Sequence, residues 1–163
     1  MGSLVALETA ARHPAKVSGL SLIGTAAAMT VGPDLLKAAE ANDPAAIDMV
    51  SIWGLGFKAE FGGSLAPGLW MHSGAIRVLQ ECRPGVLFND LSACNAYQNA
   101  LTAAAGITVP TTLILGERDM MTPAKAGKAL AAAVPNSRTV VIPRAGHMMM
   151  AETPDELLEA LKS

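Results

Sequence analysis

The chain has 163 residues, 12 Lys plus Arg against 14 Asp plus Glu, and a net charge of −2. That length is one domain, and cations scattered singly from Arg12 to Lys162 provide no phosphate-neutralising surface, which excludes a nucleic-acid partner. Apolar residues are 51% of the chain, 30 of them Ala, but the two long uncharged stretches are broken by Gly19, Gly24 and Gly32 and by Asn95, Gln98, Asn99 and Pro110, so no membrane-spanning helix is expected.

Residues 2–12 follow a helical pattern, with Leu4, Leu7 and Ala11 on one side and Glu8 and Arg12 on the other. The helix must stop at His13, because Pro14 disfavours helical geometry in the residue before it. Residues 17–23 form an apolar run that ends at Gly24 and predicts a short buried strand. From residue 33 to residue 105 the chain is helical in pieces, with starts at Pro33-Asp34 and Asn42-Asp43-Pro44 and breaks at Gly54, Gly56, Gly62-Gly63, Pro67-Gly68 and Pro84-Gly85. Strand and helix then alternate: a strand over 111–115, a helix over 123–134, a strand over 137–142, and a helix over 154–161 with Thr153 as its expected N-cap. Strands separated by helices predict a parallel sheet covered on both faces.

Cys82 and Cys94 fit neither a disulfide framework nor a zinc pattern, and are expected to be buried or half-buried thiols. The expected location is the cytoplasm; the lack of a positive n-region at Met1 says little about it where the true N-terminus lies upstream.

In parallel sheets, functional groups sit in loops at the carboxyl ends of strands. Two such loops carry distinctive polar residues. The first is Gly116-Glu117-Arg118-Asp119-Met120-Met121-Thr122-Pro123, and the second is Pro143-Arg144-Ala145-Gly146-His147. An acid and an imidazole on adjacent strands can meet so that the carboxylate accepts the Nδ1 proton and fixes the tautomer.

Gly-x-x-Asp-x-x-x-Pro closing one strand and Gly-His closing the next resembles the acid and base loops of the α/β-hydrolase family. In that family the nucleophile lies in a Gly-x-Ser-x-Gly elbow between a strand and a helix, and the triad follows the order Ser, acid, His. Met1-Gly2 is similar to the last two elbow positions, so the serine would precede Met1 and Met1 would be an oxyanion remnant. Around Ser3 the elbow's two glycine positions are Met1 and Val5, and Ser3 falls in the helix.

The resemblance implies a truncated α/β-hydrolase fold with three parallel strands, flanking helices and an inserted helical cap. Residues 1–32 and 106–163 would be the partial core and residues 33–105 the cap. It further implies ester, thioester or lactone hydrolysis in an intact enzyme, with no metal or organic cofactor. Asp119 and His147 would be catalytic, and Met148, Trp70 and His72 would belong to the substrate pocket. The aromatics Trp53, Phe57, Phe61, Trp70, Phe88 and Tyr97 all lie in the insertion, and most are expected in its core. His13 should only complement its helix dipole.

Alone, such a chain is expected to be inactive on its small-molecule acyl substrate. Its first strand would expose an apolar edge, calling for a homo-oligomer or a separate N-terminal half. The alternative is a non-enzymatic binding or assembly module.

Overall fold

The structure is a computed structural model that describes residues 1–60, 62–64 and 68–162. Phe61 and the expected break at Pro67 lie outside the described residues.

Three parallel strands form one sheet in the order β1 (Leu20–Ile23), β2 (Thr111–Gly116), β3 (Arg138–Ile142). Leu20 pairs with Thr111, and Thr112 with Arg138. β1 is shorter than the apolar run 17–23 for a reason visible in the ladder. Leu20 donates to the Pro110 carbonyl at 2.9 Å, and Pro110 has no N–H with which to extend the pairing upstream.

Among the described residues, β1 and β2 are joined by six helices: α2 (Pro33–Glu40), α3 (Pro44–Gly54), α4 (Phe57–Glu60), α5 (Met71–Gln80), α6 (Val86–Ala96) and α7 (Ala100–Ala105). α1 (Gly2–Arg12) precedes the sheet, and α8 (Ala124–Ala131), α9 (Met149–Glu152) and α10 (Pro154–Lys162) complete it. The helix expected over 123–134 ends early: the Ser137 hydroxyl caps the Ala131 carbonyl at 3.0 Å instead of opening β3. Thr153 does not cap α10 with its side chain; its hydroxyl donates back to the Met149 carbonyl at 3.3 Å.

Central strand β2 is buried on both faces, with Leu113, Ile114 and Leu115 fully inaccessible. Leu113 packs with Leu4 and Leu7 of α1, Leu22, Ala103 and Ala104 of α7, and Leu130 of α8. Ile114 packs on the other side with Ile142, Met149, Leu157 and Ala160, bringing α9 and α10 against that face. Burying each Leu or Ile contributes roughly 1.5–3 kcal/mol, so these two layers hold the strand ends in place.

α7 belongs by packing to the sheet core, although the boundary read at residues 105/106 groups it with the insertion. The cap has its own cluster of Leu35, Ala39, Ala46 and Val50, which corrects the expected aromatic core. Trp53, Phe57 and Trp70 are exposed, and Phe88 only flanks the aliphatic cluster. Cys82 is also exposed, contrary to expectation, while Cys94 is buried.

Tyr97 and Asn99, between α6 and α7, reach the Glu8 carboxylate of α1 at 2.6 and 2.8 Å. The Tyr97 hydrogen bond, then those of Asn99 and Arg12, pull Glu8 down to about 2 from an ordinary 4.5. A carboxyl depressed in the folded state stabilises above its unfolded value and loses that contribution as pH falls through the folded one. Glu8→Gln is therefore expected to flatten the loss of Tm between pH 4.5 and 2; an unchanged pH–Tm curve would refute it.

Candidate active site

Asp119 lies three residues past the end of β2 and is 5% exposed. Four donors meet its carboxylate. Oδ1 accepts from the backbone N–H of Met121 at 2.9 Å and of Thr122 at 2.7 Å. Oδ2 accepts the Thr122 hydroxyl at 2.7 Å and His147 Nδ1 at 2.8 Å. Burial alone would raise this carboxyl, but the hydrogen bond and charge of His147 and the Thr122 donors outweigh it and hold Asp119 below the ordinary aspartate range.

His147 lies in the loop after β3, and its backbone N–H donates to the Gly54 carbonyl of the cap at 3.0 Å. Its ring lies over Gly24, just past β1: a Cβ on Gly24 would meet His147 Cε1 at 2.9 Å and Nδ1 at 3.0 Å. All three strand ends thus bear on one imidazole. With Nδ1 turned to the carboxylate, Nε2 is the nitrogen that carries the lone pair in the neutral imidazole, and among the described residues no group bonds it. An oriented imidazole with a free basic nitrogen can take a proton from a hydroxyl or thiol brought to it.

Thr122 carries no motif of its own, and its role appears only in the folded structure. Its hydroxyl is 3.1 Å from His147 Nδ1, but both groups donate to the same Asp119 oxygen, so this is a contact between two donors. Thr122→Val is expected to cost about 1–2 kcal/mol in urea unfolding and to raise the Asp119 carboxyl, since a buried acceptor loses one charge-assisted donor. Unchanged unfolding would sink this assignment.

A cavity of about 370 Å³ opens beside His147, walled by Met29, Val31, Leu35, Trp53, Leu91 and Met121. Met1, the N-cap residue of α1, lines it as well, while Gly2 is simply the first residue of that helix. The other pocket residues expected from sequence lie elsewhere. Trp70 is exposed; His72 is buried, with Nδ1 2.9 Å from the Ser51 hydroxyl; and Met148 packs against the Leu55, Ala59 and Met71 cluster. Within α3, helix phase turns Trp53 to the cavity and Ser51 inward to His72. Among the described residues, no group of three His, Cys, Asp or Glu side chains is placed to hold a metal ion.

The alpha/beta hydrolase family model matches residues 1–160. The chain belongs to the α/β-hydrolase family. The pimeloyl-[acyl-carrier protein] methyl ester esterase of Neisseria meningitidis serogroup A is 32% identical over 159 residues, an alignment that takes in 90% of this chain and 49% of that protein. A thermophilic esterase structure superposes with TM-score 0.79 at 31% identity, covering 98% of this chain and 60% of that one. The enol-lactonase from Burkholderia xenovorans shares the fold, with TM-score 0.81 at 22% identity over the whole chain and 63% of its own. This α/β-hydrolase chain thus spans about half to two thirds of the length of the proteins it matches.

Proposed function

We propose that Asp119 and His147 are the acid and base of a Ser-His-Asp hydrolase acting on carboxylic esters, thioesters or lactones. The observation that carries this is the 2.8 Å contact of His147 Nδ1 with a buried carboxylate at the wall of an apolar cavity. His147 Nε2 would take the proton of an attacking serine hydroxyl and return it to the leaving oxygen or sulfur, while Asp119 holds the ring and stabilises the imidazolium. The serine and the oxyanion donors would come from another segment of a full-length enzyme or from a second chain, consistent with the partial coverage of the relatives. The apolar walls suit an aliphatic acyl chain, as in the acyl methyl ester named for the Neisseria relative.

The same partner would complete the sheet. Among the described residues β1 pairs only with β2, and it has Leu20 and Leu22 buried; an open apolar edge recruits another strand. Free Cys82 and Cys94 suit a reducing compartment, and we place the protein in the cytoplasm; among the described residues no helix is long and apolar enough to cross a membrane.

The test is complementation. The 163-residue chain alone should not turn over p-nitrophenyl acetate above buffer. Mixed with the N-terminal part of the thermophilic esterase, it should form a larger species by light scattering and hydrolyse the ester in a His147-dependent way. A stable complex with no turnover would overturn the enzyme reading in favour of a binding module, and turnover by the lone chain that His147→Ala abolishes would overturn the need for a partner.

A further inference from the structure

We propose that Glu152 is a positioning residue, the joint through which the cap sets the orientation of His147; for its catalytic meaning this rests on His147 being the base.

The cap and the histidine loop meet backbone to backbone. The Gly54 carbonyl, at the end of α3, accepts from the N–H of both His147 (3.0 Å) and Met148 (2.9 Å). Glu152 makes the remaining connections. Its Oε2 accepts from the Gly56 N–H of the cap at 2.8 Å, and both its oxygens lie 3.1 Å from the Gly146 N–H. The amides of three consecutive residues, 146 to 148, are thereby held by residues 54–56, directly or through one carboxylate.

The contact leaves no room for a side chain. A Cβ on Gly146 would fall 2.3 Å from the Gly56 nitrogen and 2.7 Å from Glu152 Oε1, and one on Gly56 would fall 2.7 Å from Glu152 Oε2. Glycine at both positions lets two segments 90 residues apart in sequence approach until one carboxylate bridges them.

Helix capping does not account for Glu152. It closes the one-turn helix α9, and its amide partners Gly56 and Gly146 both lie outside that helix. The two glycine amides hold the carboxylate in place, since an acceptor-only group gains most where donors converge. A movement of the link between α3 and α4 would therefore displace the backbone that carries the imidazole, so cap position and base geometry are one variable.

The readout is the Nδ1 proton of His147, seen at low field by NMR and bonded to Asp119, together with the Trp53 indole signal from the cap. Glu152→Ala should accelerate exchange of that proton with solvent by about tenfold or more, the scale of a lost hydrogen bond to a charged group, and shift the Trp53 signal with it. Glu152→Gln, which keeps one acceptor oxygen, should fall between wild type and Ala. Gly56→Ala, which breaks the joint from the cap side, should reproduce Glu152→Ala. Leu7→Ala, a core truncation in α1 on the opposite face of the sheet from α9 and α10, serves as the control for general destabilisation and should leave the exchange within about twofold of wild type, as expected for a site outside the shared network.

Wild-type exchange in Glu152→Ala, or equal acceleration in Leu7→Ala, would overturn the proposal. Should Glu152→Ala not fold, wild-type exchange in both Glu152→Gln and Gly56→Ala would overturn it. None of these measurements needs turnover, so a failed complementation leaves the joint standing and a failed joint leaves the hydrolase reading standing.

Discussion

Asp119→Asn is expected to leave the fold in place and to put the His147 proton on the wrong nitrogen. The carboxylate accepts from four donors, and no oxygen on it is spare. An amide in the same position can keep one oxygen toward the Met121 and Thr122 amides, but its NH₂ must then face two groups that also donate. The Asn NH₂ therefore drives His147 Nδ1 to become an acceptor, and the proton moves to Nε2, the nitrogen that has to be free to act as a base. In the complemented enzyme kcat should fall about 10⁴-fold, the scale of a lost triad tautomer, while folding loses only about 1–3 kcal/mol. Nitrogen chemical shifts of the imidazole report the tautomer without any substrate. An Nε2 that stays unprotonated in the variant, or hydrolysis within tenfold of wild type, would contradict the assignment.

Asp119 and His147 were legible because each follows a β-branched or leucine-rich strand at a glycine-bearing loop, and parallel strands joined by a helix place such loops on one edge. The lengths of the strands were less legible. β1 starts at Leu20 because its neighbour's ladder begins at Pro110, a constraint from a residue 90 positions away. Thr122 left only a faint signal: the Asp119 carboxylate accepting an amide three residues on is a local turn motif, but nothing local indicates that the hydroxyl also reaches the oxygen that meets His147. Glu152 left none, since its partners are backbone amides of Gly56 and Gly146.

The cap was the least legible part, for a related reason. Apolar residues on short helices have two candidate burial partners, their own cluster and the cavity, and periodicity cannot choose between them. Trp53 of α3 lines the cavity, while His72 of α5 turns inward to Ser51. The family resemblance supplied the roles, whereas packing decided which side chains reach the site.

Gly24→Ala tests how tightly the three strand ends converge on the imidazole. Gly24 sits at φ +56°, a conformation that costs a residue bearing Cβ about 1–2 kcal/mol. The added methyl would also lie 2.9 Å from His147 Cε1, 3.0 Å from Nδ1 and 3.6 Å from Asp119 Oδ2. The backbone has little freedom to retreat, because the Gly24 N–H is bonded to the Ile114 carbonyl at 2.9 Å and the next residue, Thr25, is fully buried. The ring must move instead, since its side chain is 28% exposed toward the cavity while Asp119 is enclosed. That displacement lengthens the Nδ1 contact to the carboxylate and misdirects Nε2. Misplacing a catalytic group by about 1 Å can cost on the order of 10²-fold, so the complemented enzyme should lose about that factor, with unfolding easier by about 1–2 kcal/mol. The low-field Nδ1 proton should weaken in parallel with activity. Were the variant to keep both that proton and wild-type hydrolysis, the ring could not be resting on Gly24, and the end of β1 would have no part in holding the base.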